Sequence, residues 1–228
     1  MKTSVRVALI GARGRMGQTI ADLAKNDPQI DIVAQCDLGD AIDPAIKDCD
    51  VAIDFSNASA IDEICRATLQ HGKALVIGTT GHSPEQRQLI EETAGKLPIV
   101  FAPNFSVGVN ALFALTRQAA EIFGSEFAPK ITETHHKMKK DAPSGTAKTL
   151  REILKETQEV PIESIREADV VGEHTVTFAG LDERLELTHR AGSREIFARG
   201  ALRAAQWIFG KPAQLYSMQD VLGIASAK

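Results

Sequence analysis

Residues 4–10, SVRVALI, form an apolar run rich in β-branched residues that stops at a glycine. GARGRMG (11–17) follows, and residues 15–25 then carry a helical pattern with Met16, Ile20, Leu23 and Ala24 on one side. No other stretch constrains the fold as much. A strand that turns tightly into a helix through glycines brings backbone N–H groups up to a ligand, because no Cβ holds the ligand off. The helix start supplies further unpaired N–H groups and a partial positive charge, which suit a pyrophosphate.

The rhythm repeats. Asn26-Asp27-Pro28 breaks the first helix and IDIVAQC (30–36) returns to strand character. VAIDF (51–55), a helix over 58–70, KALVIGT (73–79), a helix from Pro84 to Gly95 and PIVFA (98–102) continue the alternation. Strands alternating with helices of this length indicate βαβ units, a mostly parallel sheet and helices on both faces. After Asn104 the pattern changes. A long helix is predicted over 107–123, then FAPKITETHH as a strand, then a turn opening a helix in DAPSGTAKTLREILKE with Ser144 or Asp141 as N-cap. EHTVTFAGLDERLELTHRA (173–191) alternates at His174, Val176 and Phe178 and again at Leu185 and Leu187, an antiparallel hairpin linked by Gly180-Leu181-Asp182-Glu183. REIFARGALRAAQWIFG (194–210) closes the pattern as an amphipathic helix.

The 228 residues carry a net charge of -4, so global charge gives no case for nucleic acid or an anionic membrane as partner. No run of about 18 apolar residues occurs, and the N-terminus lacks a signal-peptide pattern, so a cytoplasmic protein is expected. Cys36, Cys49 and Cys65 show no CxxC spacing, and neither a disulfide framework nor a metal site is expected from them.

The glycine spacing here is GxxGxxG. Asp37 ends the second strand twenty positions after Gly17, where a ribose-binding carboxylate belongs in a dinucleotide fold. Such an Asp accepts hydrogen bonds from the ribose hydroxyls and repels a 2′-phosphate, which favours NADH. Arg13 and Arg15 act the other way, since a guanidinium pairs with that phosphate. The expectation is NADH, with NADPH tolerated. Gly78-Thr79-Thr80-Gly81 ends another strand, where open α/β sheets bind ligands.

ETHHKMKKDAPSGTA (133–147) concentrates a different chemistry. Between Lys130 and Arg151 stand Lys130, Lys137, Lys139, Lys140, Lys148 and Arg151 against Glu133 and Asp141, reversing the sign of the whole chain. A local cationic field attracts a small anion such as a dicarboxylate. Pro143-Ser144-Gly145-Thr146 at a helix start adds N–H groups and hydroxyls that can hold a carboxylate. In a fully extended strand, His135, Lys137 and Lys139 would share a face with His136 opposite, so a site using both histidines needs the strand to end or bend near 136.

These residues resemble the 4-hydroxy-tetrahydrodipicolinate (dihydrodipicolinate) reductase family of the diaminopimelate route to lysine. The matching pieces are VALIGARGRMG, IGTTG (77–81), APNFSVGVN (102–110), ETHHKMKKDAPSGTA and the closing FARGALRAAQWIFGKPAQLYSMQDVLG. The resemblance implies an α/β protein. A Rossmann-type doubly wound parallel sheet in residues 1–105 plus 194–228 would bind the dinucleotide. A C-terminal α+β domain on an open mixed sheet, residues 106–193, would bind substrate and build a homotetramer. It implies nucleotide contacts at Gly11, Ala12, Arg13, Gly14, Arg15, Met16, Asp37, Gly78, Thr79, Thr80, Ala102, Pro103, Asn104 and Phe105. His135 falls on the family's acid–base histidine and Lys139 on its proton-donating lysine, with substrate carboxylates at His136, Gly145 and Thr146. Three departures bear on cofactor preference: Arg13 replaces a small residue, Leu38 stands where a basic residue accompanies NADPH use, and only thirteen residues separate Asp37 from Val51.

Two other readings use the same residues. One is an amino-acid dehydrogenase of the same two-domain plan, acting on a substrate such as aspartate. The other is a non-catalytic nucleotide sensor, which would have no need for His135, His136 and Lys139 beside an anion-binding turn.

Overall fold

A computed structural model of the chain describes residues 4–37, 39–155, 159–167 and 169–224. Leu38 lies outside the described residues. In chain order the elements are β1 (Val5–Ile10), α1 (Arg15–Ala24), β2 (Ile30–Cys36), α2 (Ile42–Lys47), β3 (Val51–Asp54), α3 (Ile61–His71), β4 (Ala74–Ile77) and α4 (Pro84–Ala94). Then come β5 (Pro98–Phe101), α5 (Val107–Phe123), β6 (Ala128–His135), α6 (Gly145–Leu154), β7 (Ile162–Arg166), β8 (Glu173–Ala179) and β9 (Arg184–Arg190). The chain closes with α7 (Glu195–Ile208), β10 (Gln214–Tyr216) and α8 (Met218–Leu222). They form two compact units, one drawn from Met1–Phe105 and Glu195–Ala225, the other from Ser106–Arg194.

The first unit is a six-stranded parallel sheet in the order β10-β5-β4-β3-β1-β2. Its central strands are buried and mostly apolar because both faces are covered. Val7, Leu9, Val51, Ile53, Val76 and Val100 pack with α1, α7 and α8 on one side. Ala8, Ile10, Ala52, Leu75, Ile77 and Ile99 pack with α2, α3 and α4 on the other. The chain leaves β1 for β2 on one side and returns past β1 to β3. The direction of winding therefore reverses between β1 and β3, where such sheets bind ligands at their carboxyl ends.

The second unit is a four-stranded mixed sheet, β7-β6-β8-β9, with β7 parallel to β6 and the other pairs antiparallel. Helices α5 and α6 cover one face through Val109, Leu112, Phe113, Leu150 and Leu154, against Ile131, Val176 and Phe178. The 180–183 link joins β8 to β9 as the turn residues predict, with Gly180 N–H donating to Glu183 O at 2.9 Å. Strand β7 and the short elements α2, β10 and α8 were not expected from periodicity.

Candidate active site

In the first unit the glycines set the backbone. Gly11 has φ +82°, and a Cβ there would lie 2.4 Å from the Phe55 carbonyl oxygen at the end of β3. A Cβ at Gly17 would stand 2.1 Å from Gly11 O, so α1 sits against its own loop at a distance only glycine allows. Gly14 caps α1 without a side-chain hydrogen bond, leaving that helix start bare. Ala12 is buried; Arg13 and Arg15 are exposed, and Met16 packs on the core. The Asp37 carboxylate accepts Arg13 N–H at 2.7 Å, which locks the end of β2 to the loop. The Arg13 guanidinium turns to Asp40 at 3.2 Å.

The carboxyl ends of β4 and β5 lie along the same edge. Gly78 leaves room for the Phe55 ring, whose carbons would stand 2.2 Å from a Cβ. Thr79 is buried and its Oγ1 accepts Ser56 N–H at 2.9 Å, so its hydroxyl joins the two loops, while Thr80 is exposed. Ala102 and Phe105 are buried, with the Phe105 ring 5.6 Å from that of Phe55; Pro103 is exposed and Asn104 half-buried. Sequence reading did not find Asp54 beneath these loops. It is wholly buried and its pKa is pushed up by burial, against hydrogen bonds from Ser56 and Thr79. Buried His82 lies in its electrostatic range, and neither His82 ring nitrogen has a partner. The cradle around Gly11, Gly17 and Gly78, with a carboxylate at the end of β2, fits a dinucleotide.

In the second unit the site grows out of the core by strand register. Ile131, Glu133 and His135 occupy successive positions on the buried face of β6. Opposite Ile131 stand Ile162 and Val176, and beyond Val176 stands Leu187, an apolar row packed by the helices. The next row is polar: Ser164, Glu133, His174 and His189. The last pairs Arg166 with His135. The same period that fills the core therefore buries a carboxylate and two imidazoles at its end.

Such burial requires partners. Glu133, with 0% exposure, accepts from His135 Nδ1 through Oε2 and from Arg166 through Oε1 at 2.9 Å. Burial works against its charge, but hydrogen bonds from Arg166 and Ser164 and nearby cations outweigh it and hold its pKa below the ordinary value. His135 is shifted down, by burial first, against the pull of Glu133, so it is neutral at pH 7. With Nδ1–H given to Glu133, Nε2 is the acceptor. It faces Gly172, where a Cβ would stand 3.0 Å away. His174 crosses the His135 ring edge-on at 5.0 Å, and burial pushes its pKa down to about 3.

Strand β6 ends at His135, and His136–Lys139 form a turn closed by Lys139 N–H to His136 O at 3.0 Å. This end lets both histidines serve one site. His136 is half-buried; Lys139 pairs with Asp141 at 2.8 Å, and Lys137 and Lys140 are exposed. Ser144, rather than Asp141, caps α6 by accepting Ala147 N–H, and Gly145 and Thr146 are the first two residues of that helix. The donor atoms of Glu133, His135 and His174 all lie within 4.8 Å of one another, a grouping that could suggest a metal. Ligands on a tetrahedral zinc at ~2.0–2.1 Å stand farther apart than the hydrogen-bonded Glu133 and His135. The group reads as a hydrogen-bonded Glu133–His135 pair with the His174 ring packed edge-on against it. Glu133, Arg166, Gly172 and His174 were not expected as site residues, though the phase of Glu133 and His135 with Ile131 marks both as facing inward.

The chain matches the dihydrodipicolinate reductase N-terminus over residues 5–105 and the dihydrodipicolinate reductase C-terminus over residues 108–222. It is 44% identical over 243 residues to a 4-hydroxy-tetrahydrodipicolinate reductase of Akkermansia muciniphila, covering 97% of this chain and 99% of that protein. A protein of the same name from Methanoculleus marisnigri is 42% identical over 252 residues, covering 96% and 100%. In fold it is similar to a dipicolinate-bound dihydrodipicolinate reductase from Paenisporosarcina sp. TG-14. The TM-score is 0.82 at 24% identity, over 95% of this chain and 98% of that one.

Proposed function

The chain belongs to the dihydrodipicolinate reductase family, and from that premise we propose that it reduces 4-hydroxy-tetrahydrodipicolinate, or the dihydrodipicolinate left when that loses water, to tetrahydrodipicolinate. The observation that carries this reading is the Glu133–His135 pair with Lys139 on the adjoining turn, beside the capped start of α6.

NADH or NADPH supplies the hydride when bound. Gly11 to Met16 and Asp37 would hold its pyrophosphate and adenosine ribose. Residues 78–80 and 102–105 would hold the nicotinamide end. Asp37 locked to the glycine loop, with the Arg13 guanidinium turned to Asp40, supports NADH as the preferred reductant.

His136, Gly145 and Thr146 bind the substrate carboxylates, with helix-start N–H groups and the Thr146 hydroxyl as donors. Lys139 Nζ gives a proton to the enamine-like carbon that the reduction creates, and its charge offsets negative charge building on the ring. His135 Nε2 accepts and returns a proton during loss of water. Glu133 fixes the imidazole tautomer and steadies the imidazolium when it forms. The first unit is the dinucleotide-binding domain and the second the substrate-binding domain. In the homotetramer we infer, subunits meet through the uncovered sheet face that carries Lys130, Thr132, Thr175, Thr177 and Thr188, which light scattering would test.

The deciding experiment supplies freshly made product of the preceding synthase and follows loss of NADH and NADPH absorbance separately, with aspartate and NAD⁺ as a control. Oxidation of neither cofactor rejects the reductase. Oxidation in the aspartate arm alone favours the amino-acid dehydrogenase. A strong NADPH preference rejects only the NADH reading.

A further inference from the structure

We propose that Arg166 is a positioning residue that holds both acid–base groups at once, His135 through Glu133 and Lys139 through Asp141. The inference rests on the roles of His135 and Lys139 given above.

Arg166 closes β7 and pairs in register with His135 across the parallel ladder. Its side chain is 20% exposed. One nitrogen, Nη2, donates to Glu133 Oε1 at 2.9 Å and to the Asp141 backbone oxygen at 2.6 Å. The other, Nη1, donates to the Ile165 oxygen at 2.8 Å. A planar guanidinium is thus fixed by oxygens from β6, from its own strand and from the segment joining β6 to α6. A lysine has no such rigid fork.

Each contact leads to a proton-handling group. Glu133 gives its second oxygen to His135 Nδ1, so the cation keeps the buried carboxylate ionised and thereby fixes which imidazole nitrogen faces the substrate side. Asp141 gives its carboxylate to Lys139 Nζ at 2.8 Å, so anchoring the Asp141 backbone sets where that ammonium stands. Lys137, Met138 and Lys140 in the intervening turn are exposed and make no packing that would replace the anchor.

The electrostatics act in the same sense. Four neighbours face the His135 ring: Glu133 from β6, Lys139 from the turn, Arg166 from β7 and His174 from β8. Glu133 favours the imidazolium, whereas Lys139, Arg166 and neutral His174 do not. Removing the Arg166 charge leaves Glu133 with His135 and the neutral Ser164 hydroxyl, and the imidazolium gains. A salt bridge with no bearing on the reaction would change folding stability while leaving both kcat and the kinetic pH limb where they are.

The test measures steady-state kinetics of wild type, Arg166→Met, Arg166→Gln and Arg166→Lys across the neutral pH range. In the Met and Gln variants kcat should fall by about 10²-fold, the loss expected when reacting groups are misplaced by about an ångström. KM for the dicarboxylate should stay within about threefold, because the Ser144-capped turn is untouched. The His135 limb of the kcat/KM profile should move to higher pH in both. Lys should return that limb to its wild-type position while leaving kcat low. If the Met variant fails to fold, the Gln and Lys variants decide the matter. Wild-type kcat together with an unmoved limb in the neutral variants overturns the proposal. An inactive wild type in the same assay rejects the reductase reading instead, so the two failures are distinguishable.

Discussion

Ser144 Oγ lies 3.1 Å from Nε2 of His174, thirty residues on, while the same oxygen accepts the N–H of Ala147. One side chain therefore both caps α6 and holds, by a hydrogen bond, the imidazole that crosses His135. Ser144→Ala should cost about 1 kcal/mol for the lost cap and a further ~1–3 kcal/mol for the stranded imidazole nitrogen. Urea unfolding measures the sum. Kinetically, KM for the dicarboxylate should rise more than kcat falls, because the start of α6 loosens first.

Gly172→Ala should separate activity from stability. The added methyl would stand 3.0 Å from His135 Nε2, on a ring pinned by Glu133 that cannot turn away. Folding stability should fall by no more than about 1–3 kcal/mol, the cost of overpacking, part of it offset by the lower chain entropy of alanine. Turnover should fall by about 10–10²-fold. Unchanged kcat in a folded variant would show that Nε2 takes no part.

Lys139→Ala should lower kcat by about 10²–10⁴-fold, the range for a positioned acid. NADH affinity, read by nucleotide fluorescence, should not move, since the glycine loop belongs to the other unit. Near-normal turnover would remove Lys139 from the chemistry.

Asp37→Ala should lower kcat/KM for NADH by about 10–100-fold, corresponding to the ~1.5–3 kcal/mol of a hydrogen bond to a charged group. The loss with NADPH should be smaller, because the 2′-phosphate is no longer repelled. Equal losses with both cofactors would show that Asp37 serves only the loop through Arg13 N–H.

Acid should destabilise the fold early. His82, His135, His174 and His189 all have pKa values pushed down, burial being the largest cause in each. The unfolded chain then binds more protons than the native one below the ordinary histidine value of about 6.5, so stability rises with pH through that window. For His174 the loss begins as pH falls below that value and continues down to its folded pKa of about 3. Each such proton contributes at most about 1.4 kcal/mol per pH unit. Urea midpoints taken at falling pH should drop, and less steeply in His174→Asn. Parallel slopes for the variant and wild type would contradict the neutral, buried imidazole.

The parallel sheet was legible because its longer strands are mostly apolar, β-branched runs separated by helical patterns, and α5 was read at its observed limits because seventeen residues give the period room to show. Strand β7 was missed for the opposite reason: two of the five residues of IESIR are charged and it lies at a sheet edge, where little burial selects an alternating pattern. The six residues of α2 are too few for a helical period to emerge. In the site, the cluster at 133–147 stood out by chemical type, and the family resemblance picked His135, His136 and Lys139 out of it. Glu133 counted there only as a negative charge, since sequence does not show that a carboxylate two residues from a histidine is buried against it. Arg166 and Gly172 stand outside that cluster, and only cross-strand pairing brings them in.

Strand β6 pairs with β7 on one side and β8 on the other, with Glu133 in register with both neighbours and His135 with β7. Each of their amides points to one neighbour, so it meets solvent only when that strand pairing opens, which costs more than the fraying of a surface turn. Lys139 stands in a short exposed turn held by one backbone hydrogen bond and the Arg166 contact to Asp141. The two proton-handling groups therefore run on different clocks: the histidine exchanges its surroundings when a sheet pairing opens, the lysine on the timescale of a surface loop.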